Sequence, residues 1–185
     1  PAAEEMYPEG FGTFVEVTGL TKGLCGRSRP GHFRGVTTVC AKLFAIVEPG
    51  RAYFGRKDYQ QLVVVRRMAR DLNLGVEIVA CPIVREPDGL AMSSRNQYLS
   101  KDQRKQALVL SKTLFWAREE IQAGRRSVPD LLAEMRKRIK AASPCEIDYV
   151  AITDAEELGL LEKVAGLCLI ALAVRIGPAR LIDNV

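Results

Sequence analysis

Apolar residues recur at three- and four-residue spacing from Gly35 to Val47. Val36, Val39, Cys40, Leu43, Phe44 and Val47 predict an amphipathic helix there, stopped by Pro49-Gly50. The pattern then shortens. Arg51 to Phe54 predicts a strand, broken at Gly55. A second helix is predicted from Asp58 to Leu72, with Asp58 as its cap, Leu62, Val65, Met68 and Leu72 as its buried stripe, and Gly75 as its closing residue. Val76 to Ala80 is β-branched and predicts another strand. Strand, helix and strand over this length predict a βαβ crossover with parallel strands. Upstream, the alternation Thr13 to Val17 predicts an edge strand, and Thr18 to Arg34 a polar, glycine-rich loop.

The second half reads differently. Pro82 to Leu99 links the halves, with a turn at Pro87-Asp88-Gly89. Ser100 and Gln103 form a capping-box pattern opening a helix to about Gln122, before Gly124. Leu108, Leu110, Leu114, Phe115 and Ile121 supply its apolar side. Ser127 opens another helix to about Ala142, which Ser143-Pro144 ends. Glu146 to Thr153 and Leu167 to Ile176 are strand-like, and Ala179 to Asp183 follows the Gly177-Pro178 turn as a last short strand. The expected fold class is α/β: the remainder of a Rossmann-like parallel-sheet nucleotide-binding domain over residues 1–82, then a smaller α+β domain over 83–185.

Two segments carry candidate chemistry. A strand, Gly55 and a helix start leave backbone N–H groups and a positive dipole end facing outward, which favours an anion. Lys57 adds a compact charge there. Met92-Ser93-Ser94-Arg95 places two hydroxyls and a guanidinium in a row, suited to polyphosphate oxygens. In open α/β sheets, ligands bind beyond the carboxyl ends of the strands. Arg27, Arg29, Arg34 and His32 lie in the long polar loop, either as a wall around anionic substrates or, for His32, as a residue bonded within the loop.

Composition narrows the classes. The chain has 185 residues, 48% hydrophobic and 26% charged, enough for a buried core. The richest apolar stretch, Ala165 to Val174, is too short to span a membrane. The acidic start, Pro1 to Gly12, does not resemble a signal peptide and reads as a loose terminus. Cys25, Cys40, Cys81, Cys145 and Cys168 are scattered, and one histidine completes no usual zinc set, so reduced thiols in the cytoplasm are expected. The net charge is +5. Arg125-Arg126 and Arg136-Lys137-Arg138-Lys140 have acidic helical neighbours and no interleaved base-stacking aromatics, which favours solvated helix faces over a nucleic-acid patch.

Phe54-Gly55-Arg56-Lys57-Asp58-Tyr59-Gln60-Gln61, Arg85 with Asp88 to Asn96, Ser28 to Val36, and Ala179 to Asn184 together resemble the pantoate–β-alanine ligase (pantothenate synthetase) family. The resemblance covers essentially the whole chain and is to the family's later two-thirds, without its N-terminal segment and paired-histidine motif. It implies ATP-dependent condensation of pantoate with β-alanine through a pantoyl adenylate, releasing AMP and pyrophosphate. It implies an ATP site of Gly55, Arg56, Lys57, Asp58, Val84, Met92, Ser93, Ser94 and Arg95. Lys57 and Arg95 are the expected catalytic cations, and Gln61 the pantoate ligand. Arg56 departs from the family's commoner glutamate, so the backbone is expected to matter there. Val84 matches a position contacting adenine through its backbone, and His32 a wall of the site, neither acid nor base. Mg2+ is expected with ATP but no carboxylate cluster reads as a metal site; a homodimer is expected, and neither nucleic acid nor membrane as partner. The alternative is a catalytically incomplete fragment that acts only as a folded or assembly module. On either reading the first half is expected to be marginal or self-associating alone, with Ser100 to Val185 folding independently.

Overall fold

A computed structural model describes residues 1–142 and 144–185, so the predicted helix stop at Ser143 lies outside the described residues. The chain forms two compact units, Pro1–Cys81 and Pro82–Val185.

The first unit contains α1 (Ala3–Met6), α2 (Leu24–Ser28), α3 (His32–Val47), β1 (Arg51–Gly55), a 3-10 turn (Arg56–Asp58), α4 (Tyr59–Asp71) and β2 (Glu77–Cys81). β1 and β2 pair in parallel, in a register that runs from Arg51 opposite Glu77 to Gly55 opposite Cys81. The predicted crossover therefore forms, and both strands end at the same level. α4 buries Leu62, Val63, Val64, Val65, Met68 and Ala69, a wider face than the predicted stripe. Leu72 is not part of it: it is the helix C-cap and is exposed. Nor does Gly75 close the helix. Asn73 takes the left-handed conformation (φ 51°); its N–H donates to the Arg70 carbonyl, and the Leu74 N–H to the Ala69 carbonyl. That is the Schellman pattern, with asparagine in the place glycine usually holds.

Two predictions upstream need correction. Thr13 to Val17 belongs to no strand among the described residues; α3 bonds the backbone of Val15 instead. The Thr38 hydroxyl accepts from the Val15 N–H (3.0 Å), and the Thr37 hydroxyl donates to the Val15 carbonyl. These two threonines and Phe33 are the buried residues of α3, whereas Val47, predicted to be apolar-facing, is exposed. The predicted loop Thr18 to Arg34 is partly helical. It contains α2, and α3 begins three residues before Gly35, after Gly31 turns the chain at φ +76°.

The second unit contains a 3-10 helix (Ser94–Tyr98), α5 (Lys101–Gln122), α6 (Val128–Ala142), β3 (Glu146–Asp154), β4 (Cys168–Ile176) and β5 (Ala179–Asn184). The strands form an antiparallel sheet in the order β3-β4-β5. α5 and α6 pack on it, and the core fills with Leu110, Leu114, Leu131, Met135, Ile139, Ile152, Leu172 and Ile176. The predicted capping box forms at α5: Ser100 Oγ accepts from the Gln103 N–H (3.2 Å), and Gln103 Oε1 from the Ser100 N–H (2.9 Å). At its other end Gly124 (φ +102°) completes a Schellman turn, with Arg125 donating to Glu120 and Gly124 to Ile121. Of the predicted apolar side, Leu110 and Leu114 are fully buried, with Ala107 and Ala117 completing the stripe. A bulge between Ile147 and Tyr149 leaves Asp148 out of the ladder and frees its carboxylate to pair with Arg180.

Candidate active site

The candidate residues of the first unit gather where β1 ends. Gly55 is extended (φ −70°) and leads into the 3-10 turn formed by Arg56, Lys57 and Asp58. The Lys57 side chain is about four-fifths buried, and its ammonium lies 3.8 Å from a carboxylate oxygen of Asp58, whose side chain is half exposed. The predicted side-chain cap is not made: Asp58 stands at the N-cap of α4, but its carboxylate accepts no hydrogen bond from the helix start. It lies beside Lys57 and is half exposed to solvent instead.

The neighbouring glutamines have opposite roles. Gln60 is 6% exposed and fully engaged. Its Oε1 accepts from the Cys25 N–H (2.9 Å), and its Nε2 donates to the Leu20 carbonyl (2.8 Å) and the Gly23 carbonyl (2.9 Å). It pins the segment around α2 to the start of α4. Gln61 is half-buried, and among the described residues its amide makes no hydrogen bond. Sequence patterning cannot separate two adjacent glutamines; the difference lies in which one α4 turns toward the 20–25 backbone.

His32 opens α3, with Arg29 Nη1 2.9 Å from its Nε2. An arginine can only donate, so Nε2 is the acceptor and the proton sits on Nδ1.

The second unit presents its candidates on a small hairpin. Arg85 and Ala91 form an antiparallel bridge, the Met92 N–H donates to the Val84 carbonyl (2.9 Å), and the Glu86 N–H to the Leu90 carbonyl (2.8 Å). The predicted turn at Pro87-Asp88-Gly89 is its tip, where Gly89 (φ +91°) donates to Glu86. Val84 and Met92 are therefore tied together at its open end, and both side chains are exposed. Ser93 caps the 3-10 helix, its Oγ accepting from the Arg95 N–H (3.3 Å). Ser94 and Arg95 are exposed, and Arg95 Nη1 donates to the Arg180 carbonyl on β5 (3.0 Å).

Three further groups brace this hairpin. Arg85 makes a two-pronged pair with Asp183 (2.7 and 3.0 Å) and donates to the Gly89 and Asn184 carbonyls. Asn96 is buried and donates to the Ala91 carbonyl (3.1 Å) and Glu86 (3.3 Å). Arg104 of α5 pairs with Asp88 (2.8 Å) and Glu86 (3.5 Å). Partial desolvation pushes the Asp88 carboxyl up, but the Leu90 N–H and the Arg104 guanidinium outweigh it and hold the group below its ordinary range. Arg85 and the 179–184 segment are separate features of the sequence, and nothing in their spacing announces that they meet.

A parallel βαβ element with a cationic turn at its strand ends, and a separate α+β unit bearing a hydroxyl- and arginine-rich hairpin, define an α/β protein of the Rossmann-like class. The chain belongs to the pantoate-beta-alanine ligase family, whose model matches residues 1–185. It is 58% identical over 185 residues to pantothenate synthetase of Moorella thermoacetica, matching all of this chain and 65% of that one. It superimposes on the crystal structure of pantothenate synthetase from Thermus thermophilus with a TM-score of 0.94 and 50% identity, covering 100% of this chain and 67% of that one. It also matches pantoate-beta-alanine ligase from Francisella tularensis, solved with beta-gamma ATP and beta-alanine (TM-score 0.70, 30% identity, 98% of this chain and 61% of that one). The chain thus spans about 65% of the length of the curated relatives it matches.

Proposed function

We propose that the protein to which this chain belongs condenses pantoate with β-alanine, at the expense of ATP, through a pantoyl adenylate. In the first step a pantoate carboxylate oxygen attacks the α-phosphorus, the bond to the β-phosphate bridging oxygen breaks, and pyrophosphate leaves. In the second, the β-alanine amine attacks the acyl carbon, AMP leaves, and the amine proton passes to solvent. Neither step needs a covalent bond to the protein, so its work is to align the reactants and to stabilise charge that grows on the phosphates.

The residues suit those tasks. Gly55 and Arg56 offer backbone at the strand end, and Lys57 a point charge for the phosphates. Asp58, with no helix N–H to hold, is available to a nucleoside hydroxyl. Val84 offers its N–H to adenine, since its carbonyl is taken by Met92. Met92, Ser93, Ser94 and Arg95 complete the ATP set, with Arg95 neutralising the transition state. Gln61 binds pantoate: an amide donates to a carboxylate and accepts from a hydroxyl, as a hydroxy acid requires. Mg2+ would be held through phosphate oxygens and water, because no cluster of three carboxylate, cysteine or histidine side chains stands ready among the described residues.

The observation that carries this reading is the contrast at 60 and 61: the inner glutamine is saturated by backbone, while the outer one, beside Lys57 and Asp58 in sequence, keeps its amide for a ligand. The solved relative's ATP-type ligand and β-alanine support the substrate class. The test is pantoate- and β-alanine-dependent AMP release from ATP, by this chain alone and with the N-terminal third of a relative added in trans. Activity only with the added segment supports a site shared between the two pieces. Activity from the chain alone would show that the 185 residues suffice. No activity when both pieces are folded and associated would favour the alternative, a non-catalytic assembly module.

A further inference from the structure

Asp183 lies on the last strand, 98 positions from Arg85 in sequence, yet their side chains are only 4% and 18% exposed and meet in a two-pronged pair. The same guanidinium also binds the Gly89 and Asn184 carbonyls and stacks 4.8 Å over Phe115. The Asp183 carboxylate additionally accepts from the Asn184 N–H (2.8 Å), so its own rotamer is fixed. Arg85 sits between Val84 and the turn, directly opposite Ala91, which precedes Met92. One buried carboxylate therefore sets the position of both ends of the hairpin.

We infer that Asp183 is a positioning residue for the nucleotide: through Arg85 it holds Val84 and Met92 at the separation that ATP requires. This rests on the ATP site assigned above, and it goes beyond that assignment because neither Arg85 nor Asp183 need touch a ligand. A planar fork held by the two oxygens of a fixed carboxylate and by two backbone carbonyls leaves the hairpin one position, and lysine cannot reproduce that. Removing the carboxylate leaves a buried guanidinium without its counter-charge, which then draws on the hairpin carbonyls or turns toward water.

The experiment compares the 185-residue chain with Asp183→Asn and with the milder Arg85→Lys, following amide hydrogen exchange and ATP titration residue by residue. In both variants the Met92 and Glu86 amides are expected to exchange at least about tenfold faster, while the Ile152 and Leu172 amides in the sheet core hold their rates. ATP affinity is expected to fall about tenfold in Asp183→Asn and less in Arg85→Lys. Unchanged exchange at Met92 and Glu86 overturns the inference, and so does uniform acceleration across the whole second unit, which would make the pair a general stabiliser. Absence of any ATP response in the unaltered chain, both alone and with a relative's N-terminal segment added, would refute the ATP assignment instead, and the exchange data would still judge the clamp.

Discussion

Replacing Gln60 with alanine removes three hydrogen bonds at one stroke. The Cys25 N–H and the Leu20 and Gly23 carbonyls lose their partner, all at 2.8–2.9 Å and all part-buried or buried. Each such bond contributes about 1 kcal/mol net, and water reaches some of the orphaned groups, so the loss should be about 2–3 kcal/mol. For a unit the size of Pro1–Cys81, about 4–8 °C per kcal/mol translates this into a fall in melting temperature of about 10–20 °C. Gln61→Ala should stay within about 0.5 kcal/mol of the parent, since its amide makes no hydrogen bond among the described residues. The assay is thermal unfolding with amide exchange at Cys25, whose N–H should open in Gln60→Ala and stay protected in Gln61→Ala. Pantoate binding should respond the other way, weakening in Gln61→Ala. Equal stability losses at the two positions would refute the division of roles between them.

Three other perturbations follow from the same geometry. Gly177→Ala, at φ +55°, would drive its new methyl group into Gln103 Nε2, on the side chain that closes the α5 capping box; a loss of about 1–2 kcal/mol is expected by denaturant unfolding, with a smaller further loss when Ser100→Ala is added, because both act on one cap. The Asp88 carboxyl titrates below its ordinary value, so its contribution is present above pH about 4 and lost as pH falls through the lower folded value; amide protection at Glu86 and Leu90 should drop in acid, and Asp88→Asn should flatten that dependence. Lys57→Ala and Arg95→Ala should each lower kcat for AMP formation about 10²–10³-fold in the completed enzyme, with stability little changed.

The sequence was most legible where local rules decide. The Ser100/Gln103 box, the parallel pairing of the 51–55 and 77–81 strands and the three antiparallel strands follow from periodicity, caps and turn residues and appear where expected, whereas Gly55, expected to break the first strand, is its last paired residue, opposite Cys81. It was least legible where side chains replaced backbone partners. Thr13 to Val17 alternates like a strand, but Thr37 and Thr38 take the bonds a neighbouring strand would have made. Asn73 closed α4 in place of Gly75 because asparagine tolerates the left-handed conformation. Among the candidate residues, the motifs singled out Lys57 in the turn after β1, Gln61 in the first turn of α4 and Arg95 in the 3-10 helix of the second unit. The braces within the second unit, Asp183 with Arg85 and Asp148 with Arg180, are long-range pairs that no local pattern encodes.

The central claim is that a pantoate carboxylate attacks the α-phosphorus of ATP. Pantoate labelled with 18O in its carboxylate, supplied with ATP and β-alanine to the chain completed by a relative's N-terminal segment, tests it directly. The account predicts one labelled oxygen in the AMP formed, and none in pyrophosphate. Label appearing instead in inorganic phosphate, with ADP as the co-product, would contradict it.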